Sequence, residues 1–150
     1  MASRKSFTEQ MAKAIEKQKK VIDETCCQIS RELFKLVVEY TPVGKDNYWG
    51  IYYPNAKPGT LVNNWQPAVN SINLSTQQRA GPDKSGAIRR IDGLIKNGSF
   101  IADGYVSLSN STPYAYMAEY IGWPKPKWRG VTGPYAMVRK ALTDTTSKYV

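Results

Sequence analysis

The segment that decides the fold runs from Tyr105 to Leu142 and reads YVSLSNSTPYAYMAEYIG (105–122), WPKPKWRGVTG (123–133) and PYAMVRKAL (134–142). Alternating apolar and polar residues up to Ser109 predict a strand with one buried face. Thr112 and Pro113 are a favoured pair for opening a helix, and a short aromatic helix is predicted after them. A loop of Pro, Lys and Trp then leads to a last helix that opens at Pro134. A strand that turns through a polar corner into a tyrosine-rich helix is unusual in a plain core.

Two further elements are predicted upstream of this segment. Residues 64–75 predict a strand whose buried face holds Ala68, Ile72 and Leu74, because these positions share a parity. Residues 87–95 show apolar side chains at helical spacing and predict a short amphipathic helix. The chain therefore alternates short strands and helices around a small sheet.

The region on both sides of the polar corner carries more detailed expectations. Residues 100–109 alternate most clearly, and Gly104 marks either a bulge in this strand or a hairpin turn. In the helix predicted over residues 112–121, Tyr116 and Tyr120 share a face that also adjoins Glu119. The other face is apolar. After the last helix, the tail TDTTSKYV is expected to fray.

The N-terminal helix is the longest predicted element. Ser6 and Glu9 fit a capping box, apolar residues follow helical spacing up to Tyr40, and Thr41-Pro42 ends the helix. At about 1.5 Å per residue such a helix is roughly 51 Å long, which exceeds the breadth of a small domain. Either its Lys-rich first half projects and finds a partner on another subunit, or a kink near Lys19-Lys20 lets both halves pack on the domain.

Length and composition favour a single domain over residues 1–150 that is large enough to bury a core. No apolar run approaches the ~20 residues of a membrane helix, and the N-terminus lacks the apolar region of a secretory signal. We therefore expect a protein with no membrane contact, kept in a reducing compartment. Cys26 and Cys27 are adjacent, and one buried cysteine beside a partly exposed one is favoured over redox or metal chemistry.

The formal net charge of +9 is spread along the chain. Residues 1–40 carry eight Lys/Arg against six Asp/Glu, residues 41–97 seven against three, and residues 98–150 six against three. Two interpretations remain: a solvated basic surface, which the even spread favours, or a dedicated nucleic-acid site.

Catalytic motifs are missing from the sequence. There is no histidine, which excludes Ser-His-Asp and Cys-His arrangements and removes the commonest metal ligand. The glycine spacing of a phosphate-binding loop is also missing. Asp103 and Glu119 are the plausible site carboxylates, but a turn residue and a helix-end ion pair are the favoured roles. The sequence therefore predicts no enzyme, no cofactor and no metal site.

A long aromatic loop spans residues 43–62. It holds Tyr48, Trp49, Tyr52 and Tyr53 between a helix end and a Gly-Thr turn. Tyr and Trp bury a large area at low entropic cost and are enriched at protein interfaces. They also stack on bases in single-strand binders. An interface loop, a flap packed on its own core and a base-stacking surface are the three alternatives, with stacking the least favoured.

An ordered set of short motifs extends across most of the chain. The set comprises Thr41-Pro42-Val43, Gly59-Thr60-Leu61-Val62-Asn63-Asn64-Trp65, Ser109-Asn110, Pro113-Tyr114-Ala115-Tyr116, Glu119-Tyr120-Ile121-Gly122 and residues 134–142. In this order they resemble the tail-completion or neck proteins of tailed bacteriophages, the minor tail components that join head and tail. Two features depart from the family pattern. Residues 44–58 form an aromatic loop insertion, and Ile121 and residues 123–131 lengthen the region around the Glu-Tyr-Gly motif.

The resemblance implies an α+β fold in which a long N-terminal helix and shorter helices pack on a small antiparallel β-sheet. It implies a structural virion protein that forms a ring, commonly hexameric, at the head–tail junction after assembly in the host cytoplasm. Packaged DNA would pass through the ring without being read. The implied partners are copies of the chain itself and the adjacent neck, connector and tail-terminator or tail-tube proteins.

Two groups of residues are the predicted contact sites. Subunit contacts are assigned to the exposed aromatic residues Tyr48, Trp49, Tyr52, Tyr53, Trp123 and Trp128. Contact with DNA or an acidic neighbour is assigned to the basic residues Lys125, Lys127 and Arg129. The same aromatic and basic residues also suit the alternative function, a single-stranded nucleic-acid-binding module, and a nuclease or other enzyme ranks last.

Overall fold

The computed structural model describes residues 6–43, 57–77, 81, 83–100, 104–113, 115–124, 131–132 and 134–149, with only the backbone of residues 123, 124, 131 and 132. Its elements are α1 (Phe7–Tyr40), α2 (Thr60–Asn63), β1 (Gln66–Val69), α3 (Ser85–Leu94), β2 (Val106–Ser109), a π-helical turn (Met117–Ile121), β3 (Trp123–Pro124), β4 (Val131–Thr132) and α4 (Met137–Tyr149). A long N-terminal helix, shorter helices and a small antiparallel sheet make this an α+β fold, as predicted.

Helix α1 begins and ends where its sequence predicts. The Ser6 Oγ accepts a hydrogen bond from the Glu9 N–H at 3.2 Å, which satisfies one free donor of the first turn. At the other end, the Thr41 Oγ1 donates to the Val37 carbonyl at 2.6 Å. Lys84 completes this end, because its Nζ donates to the carbonyl of Thr41 at 2.9 Å. Burial lowers the pKa of this lysine.

The first half of α1 projects from the body. The helix is uninterrupted from Phe7 to Tyr40, and every residue from Ser6 to Ile22 is exposed. The first buried residue is Asp23, which holds the turn before β2 by accepting the N–H of Phe100 at 2.8 Å. The projecting helix is therefore confirmed and the kink near Lys19-Lys20 is wrong. About 16 residues, roughly 24 Å of helix, extend beyond Asp23.

Helix α4 lies antiparallel against the second half of α1. Tyr40 donates its hydroxyl to Asp144, and eight residues earlier on α1 the Glu32 carboxylate accepts from Lys148 Nζ at 2.8 Å and the Tyr149 hydroxyl at 2.5 Å. These two donors lower the pKa of Glu32 to about 2. The expectation that residues 143–150 fray is wrong for the described part, because these contacts keep α4 helical to Tyr149.

The core lies where α1, α3, α4 and the sheet of β1 and β2 meet. Its buried members include Cys27, Val37, Val38, Leu61, Val62, Trp65, Ala87, Ile91, Ile95, Ala118, Met137 and Ala141. Six of these twelve residues stand at positions that the helical spacing predicts, namely Val37, Ala87, Ile91, Ile95, Ala118 and Ala141. Leu142 and Leu94 are exceptions, since both are about half exposed on helix faces that nothing described covers.

A tight backbone crossing lies between the motif at residues 41–43 and the motif at residues 59–65. Gly59 has φ +83°, and a Cβ at this position would lie 1.7 Å from the carbonyl oxygen of Gly81. Asn63 donates to the carbonyls of Gly59 at 2.9 Å and Gly81 at 3.1 Å. The indole N–H of Trp65 donates to the Thr41 Oγ1 at 2.8 Å. The Thr-Pro-Val and Gly-Thr motifs therefore hold the end of α1 to the start of the sheet.

Strand β1 is shorter than predicted. It pairs antiparallel with β2, with Gln66 opposite Ser109 and Val69 opposite Val106. Asn70, at φ +56°, ends the strand and exchanges hydrogen bonds with the backbone of Tyr105. Ala68 is buried as expected, but Ile72 and Leu74 are 62% and 68% exposed, so their predicted burial is wrong. Parity alone does not detect a turn at an asparagine.

Candidate assembly surfaces

Almost all of the predicted contact residues lie outside the described part of the chain. This holds for Tyr48, Trp49, Tyr52, Tyr53, Lys125, Lys127, Trp128 and Arg129, and Asp103 lies outside it as well. The backbone of Trp123 is described, in β3, opposite Thr132 of β4. Strands β3 and β4, which flank residues 125–130 in the sequence, therefore pair as a two-stranded ribbon that begins directly after Gly122. The assignment of these residues to subunits or DNA stays a prediction.

An apolar stripe on the projecting half of α1 is the first surface that the structure defines. We use this name for Phe7, Met11, Ile15, Val21 and Ile22. Their exposed fractions range from 46% at Met11 to 77% at Phe7, although large apolar side chains are normally buried. The spacing places all five on one side of the helix. Lys17 and Lys19 flank them, each three or four residues from a stripe residue.

The apolar stripe continues the face of α1 that α4 covers. Ile15, Ile22, Ile29 and Leu36 are seven residues apart, and such positions drift by only about 20° per heptad. In the second half of the helix this face meets α4 through Glu32 and the residues around it. The described part of α4 ends level with Glu32, and the same face continues for more than two further turns with no described residue over it.

A group of three neighbouring planar side chains, near the opposite end of α1, is the second surface. The rings of Tyr116 and Tyr120 lie 4.9 Å apart at an angle of 42°. The Arg139 guanidinium carbon lies 5.0 Å from the centroid of the Tyr120 ring. Tyr116 is 65% and Tyr120 53% exposed. We call these three residues the tyrosine ladder.

Glu119 positions Arg139, the cationic member of the ladder. Glu119 is 6% exposed, and its carboxylate accepts the backbone N–H groups of Val138 at 3.0 Å and Arg139 at 3.3 Å. A carboxylate at the start of α4 is favoured by the free N–H groups and the helix dipole. The same carboxylate accepts from Arg139 Nε at 3.3 Å, which holds the guanidinium over Tyr120. The helix-end ion pair predicted for Glu119 is confirmed.

A π-helical turn brings Glu119 and the tyrosines into this arrangement. The turn from Met117 to Ile121 ends at Gly122, which has φ +80°. Ala118 is fully buried inside the turn, and its carbonyl accepts the N–H of Tyr135 at 2.8 Å. The wider turn buries Glu119 beside Ala118 and leaves Tyr116 and Tyr120 outside. Ile121 is half exposed, although the α-helical pattern predicts it on the apolar face.

A shallow cleft of about 490 Å³ adjoins the ladder. It is lined by Tyr40, Arg139, Lys140, Thr143 and Asp144, so it joins the end of α1 to the start of α4. The hydrogen bond to Asp144 raises the pKa of Tyr40. Tyrosine rings, two cations and a carboxylate thus form one continuous polar and aromatic surface at this end.

The two cysteines of α1 differ in their burial. Cys26 is partly exposed and Cys27 buried, as predicted, and burial raises the pKa of the Cys27 thiol. Within the described ranges, no three His, Cys, Asp or Glu side chains are grouped as a metal site. In the same part of the chain, no helix combines the length and apolarity needed to cross a membrane.

The apolar stripe and the tyrosine ladder are each only partly predictable from the sequence. The i, i+4 spacing of Tyr116 and Tyr120 and the apolar spacing of α1 were visible. The place of Arg139 was not, because it depends on a long-range contact with Glu119. A comparison with protein-family models, curated proteins and solved structures found no match to this chain.

Proposed function

We propose that this protein is a non-enzymatic virion component of a tailed phage that forms a ring at the head–tail junction. The observation that carries this proposal is the apolar stripe, five large apolar side chains on a helix that projects from the body. Exposed apolar patches of this kind are typical of protein–protein interaction sites. The motif resemblance supplies the phage context, and the stripe supports self-association independently of it.

The energy available from the stripe suits a closed assembly. Complete burial of a large apolar side chain stabilises by about 1.5–3 kcal/mol, and these five begin about half exposed or more. About 4–8 kcal/mol per stripe therefore results, against an association cost of about 4–15 kcal/mol. A single contact is weak. In a ring every copy makes two contacts, so a closed ring is more stable than any single contact.

The basic character of the chain supports a place near packaged DNA. A net charge of +9 spread along the sequence gives broad attraction to phosphates, and phosphate contacts carry no sequence information. The neighbours in this proposal are the adjacent neck, connector and tail-terminator or tail-tube proteins. The protein reaches the virion after assembly in the host cytoplasm.

Light scattering coupled to size-exclusion chromatography tests self-association. We expect the unmodified protein to form a discrete oligomer and the Ile15→Lys variant to shift to monomer. Ala12→Lys is the matched control, since it adds the same charge to the same half of α1 at a position roughly 110° around the helix axis from the centre of the stripe. A strictly monomeric protein that is also missing from purified virions refutes the proposal.

The tyrosine ladder favours one alternative, a single-stranded nucleic-acid-binding module. Exposed aromatic rings with a guanidinium beside them suit the π-faces of unpaired bases. Titration of the protein with short DNA and RNA oligonucleotides at several salt concentrations separates the two functions. Tight binding with a steep salt dependence, lost in Tyr120→Ala and kept in Tyr105→Ala, supports the alternative.

A further inference from the structure

Two exposed surfaces lie near opposite ends of α1, and no described residue covers either of them. The apolar stripe is centred near Ile15, and the tyrosine ladder adjoins the cleft at Tyr40. Twenty-five residues of uninterrupted helix separate these positions, about 37 Å along the axis. A protomer therefore cannot cover its own ladder with its own stripe.

We propose that the apolar stripe of one copy docks on the tyrosine ladder of the next copy. This inference rests on the proposed self-association and specifies its contact. The contact is heterologous, because each copy uses its stripe on one side and its ladder on the other. Heterologous contacts form a closed ring when the rotation between copies closes, and otherwise form an open chain.

Charge and side-chain chemistry favour this pairing over two other arrangements. Lys17 and Lys19 flank the stripe, so stripe-to-stripe packing brings cations of two copies together. The ladder instead offers tyrosine faces, which attract ammonium groups. Among the described residues, its surroundings carry no excess of cations, because Arg139 is paired with Glu119 and Asp144 balances Lys140 in the adjoining cleft. Ladder-to-ladder packing would leave every apolar stripe in water.

The interface between α1 and α4 shows how the stripe is covered within one protomer. Along the second half of α1, the same face is packed against α4 and tied at its edges by Glu32 and Tyr40. The stripe extends this face beyond the end of α4. A neighbouring surface that supplies aromatic area and a carboxylate reproduces both kinds of contact.

Two variants that each disable one surface test the pairing. Ile15→Lys disables the stripe and Tyr116→Lys disables the ladder, and the two lysines cannot form an ion pair that would mask the effect. Tyr116 and Ile15 are half exposed or more, so both variants keep the fold, which circular dichroism and thermal melting check. Ala12→Lys and Tyr105→Lys are the controls for equal charge at exposed positions outside the two surfaces.

The expected result is specific to a heterologous contact. Each variant alone is monomeric at concentrations where the unmodified protein and both controls are oligomeric. At higher protein concentration, where a single weak contact is populated, an equimolar mixture of the two variants forms a one-to-one heterodimer, because one intact stripe meets one intact ladder, while each variant alone stays monomeric at that concentration. Native mass spectrometry or light scattering identifies this species.

Other results overturn the pairing and leave the proposed function standing. If Tyr116→Lys assembles like the unmodified protein, the ladder is not the receptor. If both variants are monomeric and their mixture also stays monomeric at the higher concentration, the stripe and the ladder do not bind each other. An unmodified protein that is monomeric throughout overturns the pairing and, when it is also missing from virions, the proposed function.

Discussion

Replacing Gly59 with alanine tests the tightest backbone crossing in the protein. A Cβ at this position lies 1.7 Å from the carbonyl oxygen, 2.5 Å from the carbonyl carbon and 2.8 Å from the nitrogen of Gly81. All three neighbours are backbone atoms, so no side chain can rotate away. The chain around residue 59 or residue 81 must move for the alanine to be accommodated.

The cost follows from the contacts that this movement breaks. The Gly59 N–H donates to Val43 at 2.7 Å, the Gly81 N–H donates to Pro58 at 2.8 Å, and Asn63 donates to Gly81 at 3.1 Å. Each hydrogen bond contributes about 0.5–1.5 kcal/mol, and φ +83° adds about 1–2 kcal/mol for a residue with a Cβ. We expect Gly59→Ala to lower the free energy of unfolding by about 3–5 kcal/mol. At this chain length, the melting temperature then falls by about 10 °C.

Urea denaturation followed by circular dichroism measures this change, and two glycines serve as controls. Gly81→Ala has φ +115° but open space around the added Cβ, so only the conformational cost of about 1–2 kcal/mol applies. Gly93→Ala lies in α3 with no atom within 4 Å of the Cβ, and we expect it to stabilise by about 0.5–1 kcal/mol. If Gly59→Ala is no less stable than Gly81→Ala, the crossing does not constrain the fold as we argue.

Three further predictions concern α1, α4 and the ladder. The pKa of Glu32 is lowered to about 2 by Lys148 and Tyr149, so this carboxylate stabilises the docked end of α4 above its unfolded pKa of about 4.5. This contribution is lost as the pH falls towards 2, and the urea midpoints of the unmodified protein and Glu32→Gln should converge there and differ at pH 7. Ellman's reagent should modify Cys26 quickly and Cys27 only on unfolding, because burial raises the pKa of the Cys27 thiol; equal rates in the two single serine variants would contradict this. Glu119→Gln should destabilise by about 1–3 kcal/mol in thermal melts, since α4 and Arg139 lose a buried charged acceptor, and an unchanged melting temperature would refute that role.

The sequence predicted the elements better than it predicted their contacts. Local signals were sufficient for α1, because the Ser6 cap and the Thr41-Pro42 end act within a few residues. They were insufficient for Ile72 and Leu74, whose parity extends past the turn at Asn70. The hydroxyls of Ser107 and Ser109 in β2 donate to the carbonyls of Ser71 and Asn73, which follow this turn. Hydrogen bonds between residues so far apart in the sequence cannot be predicted from the residues on either side of the turn.

The candidate site divides in the same way. The aromatic and basic residues chosen from composition mostly lie outside the described part of the chain. The tyrosine ladder depends on Glu119, which was expected to form an ion pair at a helix end. The cation that binds Glu119 is Arg139, which also lies over Tyr120. This arrangement arises because the π-helical turn packs against α4, and residue spacing in the sequence does not predict that contact.

The projecting half of α1 is also informative about why the two surfaces coexist. An isolated helix of about 16 residues is marginal in water, because nucleation is costly. Here the second half of α1 is already packed, so the first half extends an existing helix and needs only the Ser6 cap to end it. A stable rod that carries an apolar face is thereby held away from its own body. The ladder is held equally firmly by Glu119, so both surfaces are organised before any partner arrives, and association need not include the ordering of a loop.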